Sequence, residues 1–203
     1  MTEIVRDGYD RIADTFAVWR NRIEGDPRDE WRDALVASLH DGDRVLELGC
    51  GNGDDARELA RRFRITGVDI SAAQIRRARA NVPEGEFVHA DFTELDLPAA
   101  SFDAVVSFYV FNHVPRELLA PLLADIHAWL VPGGLLLTAL GISDTEAWTG
   151  EWLGATMFFS SFPAETNSSL VRAAGFEMLR DELVTFREPE GENTFQWVLA
   201  RSI

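Results

Sequence analysis

Apolar residues in this chain of 203 residues gather in short, nearly continuous runs, and the stretches between them repeat apolar positions at helical spacing. Runs at 45–48, 64–69, 86–90, 102–110 and 135–140 have the length of strands, and the fourth is apolar enough to be buried on both faces. Helices are expected over 54–62, from Ser71 to about Asn81, and over 118–130. Ser71-Ala72-Ala73-Gln74 reads as a capping box, Pro121 as a bend or the first turn of its helix, and Pro132-Gly133-Gly134 as that helix's end. Strands that alternate with helices make right-handed crossovers, hence a parallel sheet with helices on both faces. The C-terminal part breaks this rhythm. A helix over 164–174 stops at Gly175, and strands over 176–186 and 194–200 are joined by the turn-rich Glu188-Pro189-Glu190-Gly191-Glu192, too short for anything but an antiparallel hairpin. The predicted class is α/β, a mostly parallel seven-stranded sheet ending in an antiparallel hairpin.

One segment carries most of the chemistry. Val45-Leu46-Glu47-Leu48-Gly49-Cys50-Gly51-Asn52-Gly53 is a strand running into a triple-glycine loop, followed by a second strand ending in Gly67-Val68-Asp69. Glycines at 49, 51 and 53 allow positive φ in a tight strand-to-helix turn and remove the Cβ atoms that would hold a ligand off the backbone. Asp69, at the C-terminal end of its strand, stands where a carboxylate grips ribose hydroxyls. A dinucleotide loop places its last glycine one residue later, where this chain has Asp54, followed by Asp55. Two carboxylates at the mouth of the following helix would repel a phosphate dianion, so the loop favours S-adenosylmethionine over a nicotinamide or flavin dinucleotide. Glu47 adds negative charge on the same side.

The net charge of −15 argues against a nucleic-acid substrate, and the arginines at 61, 62, 64, 76, 77 and 79 read as solvated helix faces paired with acids. A small, neutral or cationic acceptor is expected. Cys50, the single cysteine, cannot form an internal disulfide and reads as a small filler beneath the ligand. The N-terminus has no basic-then-apolar signal and no apolar run spans a membrane, so a cytoplasmic location is expected. No metal cluster is read.

With these elements placed, the chain resembles the small class I S-adenosylmethionine-dependent methyltransferases, Rossmann-like in fold. The resemblance rests on residues 47–53, Gly67-Val68-Asp69-Ile70-Ser71, Ala90-Asp91-Phe92, Phe102-Asp103-Ala104-Val105-Val106-Ser107, Asn112-His113-Val114 and Leu130-Val131-Pro132-Gly133-Gly134, in family order. It implies that Gly49, Gly51 and Gly53 pass the methionine part of the cofactor close to backbone, with Glu47 and Cys50 also among the cofactor-binding residues. It implies further that Asp69 takes the ribose, Ile70 packs on adenine, Asp91 accepts from the adenine amino group, and the Phe92 amide faces a ring nitrogen. Ser107 and Phe108 would offer carbonyls to the ammonium. Tyr9 reads as a lid residue reaching the cofactor, and Arg20 as a partner for its carboxylate. Asp91 also reads as a cap on the turn after strand three, Asp103 as a turn residue, and Trp129 as core.

Methyl transfer needs collinear nucleophile, methyl and sulfur, and a base only when the acceptor arrives protonated. His113 is the candidate base, with an ordinary pKa near ~6.5; packing or backbone bonding is its alternative use. The aromatic stretch 148–162 reads as a substrate lid, with Trp152, Met157, Phe158 and Phe159 lining an apolar pocket for an aromatic small molecule. The whole chain, 1–203, is expected to form one domain: an N-terminal helical lid (1–40), a cofactor-binding core (41–140), the substrate lid (141–163), and the final helix and hairpin (164–203). A cofactor-binding protein without transferase activity, a nicotinamide oxidoreductase, and a tRNA or protein methyltransferase stand as alternatives.

Overall fold

A computed structural model describes residues 1–203. Its main sheet contains β1 (Arg44–Leu48), β2 (Arg64–Asp69), β3 (Glu86–His89), β4 (Phe102–Phe108), β5 (Leu130–Gly141), β8 (Phe176–Glu188) and β9 (Gly191–Ser202), in the order β3-β2-β1-β4-β5-β9-β8. The first five strands are parallel, β9 runs antiparallel to β5, and β8 pairs antiparallel with β9. The seven-stranded sheet and its terminal hairpin are those the pattern predicts.

The central strands read as unbroken apolar runs because both faces are covered. Val45, Ala104, Val106, Leu137 and Trp197 point to one face, where α2 (Arg28–Val36), α3 (Asp54–Leu59) and α4 (Ala72–Asn81) pack. Leu46, Leu48, Val105, Leu136 and Val198 point to the other, against α5 (Arg116–Trp129) and α6 (Ala164–Ala173). The order of connection reverses between β1 and β4, which opens a crevice at their C-terminal ends.

Four expectations are corrected. Residues 1–40 are not a lid throughout: only α1 (Thr2–Arg20) lies over the crevice, while Trp31 and Leu35 of α2 are fully buried beneath the sheet, Trp31 against Trp197. Pro121 neither opens its helix nor stands in its first turn; α5 begins at Arg116. The helix ends at Trp129, and Pro132-Gly133-Gly134 is a bulge inside β5, where pairing jumps from Phe102–Leu130 to Ala104–Leu135 and Gly133 has φ of 81°. Only half the capping box forms. Ser71 Oγ accepts from the Gln74 amide, while the Ser71 amide is taken by Asp69 and Gln74 Oε1 has no partner.

The aromatic stretch contains a separate hairpin, β6 (Trp148–Trp152) and β7 (Ala155–Phe159). Leu153 and Gly154 turn it with φ of 52° and 88°, positive at both central positions as a type I′ turn requires. Val5 and Ile12 of α1 pack with Ala155, Met157 and Phe158 of β7 into a small third core. A Cβ on Gly8 would stand 2.8 Å from Met157 Cε, so glycine is what lets helix and hairpin approach. No helix is long and apolar enough to cross a membrane.

Candidate active site

The crevice holds a cavity of about 470 Å³. Its floor is the loop after β1, where Gly49, Gly51 and Gly53 all have positive φ (69°, 52° and 83°). The amides of Gly49 and Cys50 both donate to the Val68 carbonyl, and the Asp69 carboxylate accepts from the amides of Gly51 and Ser71, each at 2.8 Å. Asp69 thus ties the loop to the start of α4 and still has unused lone pairs. Burial pushes its pKa up to about 6, against the pull of those two amides.

The three glycines serve different ends. A Cβ on Gly49 would lie 2.3 Å from a Val110 methyl, and one on Gly53 would lie 3.1 Å from Ala78 Cα of α4, so these two permit close packing of the protein on itself. Only at Gly51 would a Cβ enter open space, and only that glycine clears the way for a ligand.

Asp54 and Asp55 are not the bare negative charge the sequence implies. Asp55 is buried and accepts from Arg20 (3.0 Å), Arg28 (2.8 Å) and Arg32 (3.0 Å), while Asp54 meets Arg20 at 3.3 Å. Burial raises the Asp55 pKa, but Arg28, Arg20 and Arg32 outweigh it and hold the carboxyl below its ordinary value. Repulsion of a phosphate is therefore cancelled locally, and only the glycine spacing sets this loop apart from a dinucleotide loop. Glu47 is buried with Oε2 unpartnered. Burial, then Asp55, pushes its carboxyl well above the ordinary range. A ligand that brings an ammonium or sulfonium to this point supplies the missing partner, and the open Gly51 backbone admits it, so the residues present fit S-adenosylmethionine.

At the other end of the floor, Ile70, Asp91 and Phe92 line the cavity. Asp91 Oδ1 caps the following turn through the Thr93 amide and hydroxyl, which leaves Oδ2 free. Asp103 instead ties β4 to β1 through Arg44, and Trp129 is core. After β4, Phe108 lines the cavity, but the Ser107 side chain is fully buried in the sheet. Tyr109 follows with φ of 61° and donates to Asp26, and Arg28 stacks 5.0 Å from its ring centre.

The roof comes from α1 and the β6–β7 hairpin. Tyr9, Phe16 and Trp19 meet Trp152, with ring centres 5.3–6.3 Å apart. His113 lies beneath. Its Nδ1 is 2.8 Å from the Phe158 carbonyl and its Nε2 is 2.9 Å from Tyr9 Oη. Burial holds its pKa down at about 4, and burial, then Asp69, pushes Tyr9 upward.

Of the cofactor candidates, Tyr9, Arg20, Glu47, Gly49, Cys50, Gly51, Asp69, Ile70, Asp91, Phe92 and Phe108 line the cavity, whereas Gly53 and Ser107 do not. Of the acceptor candidates, Trp152 and Phe159 line it; Met157 and Phe158 are corrected to the third core, where they cluster with Val5 and Ile12 of α1. Sequence reading missed Phe16, Trp19, Arg28, Tyr109, Val110 and Asn112. A signal existed for the first two: Val5, Tyr9, Ile12, Phe16 and Trp19 follow the three-and-four spacing of one helix face.

This sheet order, with a ligand cavity at the switch point and an aspartate at the end of β2, defines a class I methyltransferase fold. Residues 45–134 match the family model of the methyltransferase domain, and through this segment the chain is similar to the class I S-adenosylmethionine-dependent methyltransferase domains. It is 43% identical over 96 residues to an uncharacterized methyltransferase of Mycobacterium tuberculosis, covering 45% of this chain and 47% of that one. It is 39% identical over 102 residues to a fatty-acid O-methyltransferase of Mycolicibacterium smegmatis, covering 48% and 36%. The chain thus spans about half the length of these curated relatives, or less. In fold it matches a Burkholderia thailandensis 1,6-didemethyltoxoflavin-N1-methyltransferase, solved with 1,6-didemethyltoxoflavin and S-adenosylhomocysteine bound, with TM-score 0.66, 23% identity, and coverage of 95% of this chain and 87% of that one.

Proposed function

We propose that the chain transfers a methyl group from S-adenosylmethionine to a small-molecule acceptor by in-line displacement. The observation that carries this reading is the pairing of Glu47 Oε2, buried and without a partner, with the open backbone of Gly51 and the unused lone pairs of Asp69 on one cavity floor. When bound, the cofactor supplies a methyl group made electrophilic by its sulfonium. Asp69 accepts from the ribose hydroxyls, Glu47 and the backbone after β4 meet the ammonium, and Arg20, held by Asp54 and Asp55, meets the carboxylate. Ile70 and Phe92 flank the adenine, with Asp91 Oδ2 toward its amino group.

The cap of α1 and the hairpin closes over the cavity and excludes water, which strengthens every charge interaction inside. Within one domain, it forms the acceptor wall with Trp152 and Phe159. A small-molecule acceptor is supported by the aromatic roof, by the net charge of −15, and by a relative and a fold neighbour whose names carry a fatty acid and 1,6-didemethyltoxoflavin.

Thermal denaturation with S-adenosylhomocysteine, at about 100 times its Kd, should register roughly 2.7 kcal/mol of stabilisation, against none with NAD. Stabilisation by NAD alone would replace this reading with the oxidoreductase one. Uptake of S-adenosylhomocysteine without methylation across a broad acceptor panel would favour a non-catalytic binding protein.

A further inference from the structure

Tyr9 and His113 satisfy each other in a way that leaves one oxygen for a ligand. The Phe158 carbonyl can only accept, so His113 Nδ1 carries the ring hydrogen. In the neutral ring Nε2 then holds the lone pair, and Tyr9 Oη at 2.9 Å must be the donor to it. Its hydrogen committed, Tyr9 Oη has only acceptor capacity left. The two rings stand at 90° with centres 5.3 Å apart, and both show their remaining surface to the cavity. Trp152 lies against Tyr9 and Phe159 against His113, so the oxygen is set among aromatic walls.

We propose that Tyr9 Oη receives the acceptor's proton, that His113 is the positioning residue behind it, and that the site takes a neutral aromatic hydroxyl compound of phenol type. The inference rests on the methyl-transfer reading above. As the acceptor oxygen bonds to the methyl carbon, the carbon–sulfur bond breaks and its electron pair stays on sulfur. The acceptor's O–H proton passes to Tyr9 Oη, the proton Tyr9 already holds passes to His113 Nε2, and Tyr9 ends as a neutral phenol. One positive charge leaves sulfur and one appears on the imidazolium, so the net charge of the buried site does not change.

A resting imidazole held down at about 4 is a sufficient base here, because an oxygen that gains a methyl group while keeping its hydrogen becomes a strong acid. A carboxylate acceptor arrives ionised and has no proton to give. It would also set a negative charge against the lone pairs of Tyr9 and close to Asp69, whose charge is already felt there.

The test is calorimetric titration of 2-naphthol, simple phenols, 2-naphthoate and benzoates into the chain saturated with S-adenosylhomocysteine. The phenols should bind at least about tenfold more tightly than the matched carboxylates, a factor worth one good hydrogen bond. Tyr9→Phe, which keeps the ring, should lose about tenfold in phenol affinity when each protein is saturated with S-adenosylhomocysteine. In the same variant the ¹⁵N resonance of His113 Nε2 should move and that of Nδ1 should stay. His113→Asn, which retains a donor toward Phe158 but lacks Nε2, should weaken phenol binding in the same direction. Absence of phenol binding, preference for carboxylates, or an indifferent Tyr9→Phe overturns this inference alone; absence of S-adenosylhomocysteine binding overturns the methyl-transfer reading with it.

Discussion

Gly49 and Gly51 stand two positions apart in one loop and face opposite demands. Alanine at 49 drives a Cβ into Val110 at a φ of 69°, which should cost about 2–5 kcal/mol from overpacking and left-handed backbone together. Alanine at 51 meets nothing, so it should cost only about 1–2 kcal/mol of backbone strain, yet it should abolish cofactor uptake. Urea denaturation and calorimetry with S-adenosylhomocysteine separate the two, and Gly49→Ala should recover stability when Val110 is also cut to Ala. Asp69 carries a pH signature. Its folded pKa of about 6 exceeds its unfolded value of 3.8, so the folded state holds the extra proton between them. Its contribution to stability is present below the lower value and is lost as pH rises through about 6, a penalty of order 3 kcal/mol. Cofactor binding should run the other way, weakening as pH falls below about 6, because a protonated carboxyl loses acceptor capacity for a diol. Asp10 and His89 also face this carboxyl, so Asp10→Asn and His89→Gln are the controls. Calorimetry in buffers of different ionisation enthalpy should show protons released on binding near pH 6 and fewer in Asp69→Asn.

At the scale of elements, the roof is one unit made from two parts of the chain. Trp152 of β6 touches Tyr9, Phe16 and Trp19 of α1, and the third core beneath them joins neither of the two sheet cores. Trp152→Ala should therefore raise hydrogen exchange in α1 and in β6–β7 together, while amides of β1 and β4 keep their protection. Loosening of α1 with the hairpin still protected would show two independent lids. The order of the central elements was legible in the sequence because double burial makes β1, β4 and β5 continuous apolar runs. The hairpin was not. Thr149 and Glu151 are exposed, so β6 lacks a buried face to impose alternation, and its turn is Leu153-Gly154 rather than an asparagine-glycine pair. α2 was hidden because Trp31 and Leu35 give only one helical repeat of apolar residues between charged ones.

At the scale of the whole molecule, Asp55 is the knot that binds α1, α2 and α3 beside the cofactor loop. Its three arginines come from residues 20, 28 and 32, and Arg28 is itself buried. Asp55→Asn leaves that guanidinium under-compensated and should cost about 3–5 kcal/mol in urea unfolding, whereas Asp54→Asn, half-exposed and less engaged, should cost under about 1 kcal/mol. The sequence by itself determined the sheet and its hairpin, the glycine loop, and the carboxylate at the end of β2, because these rest on local rules: double burial, positive φ, and strand-end position. Only the tertiary structure decided that two of the three glycines serve packing, that Met157 and Phe158 lie outside the cavity, that Asp55 is neutralised, and that Tyr9 stands between His113 and the ligand. Each of those depends on which distant segment comes to lie within a few ångströms, and no spacing along the chain encodes that distance.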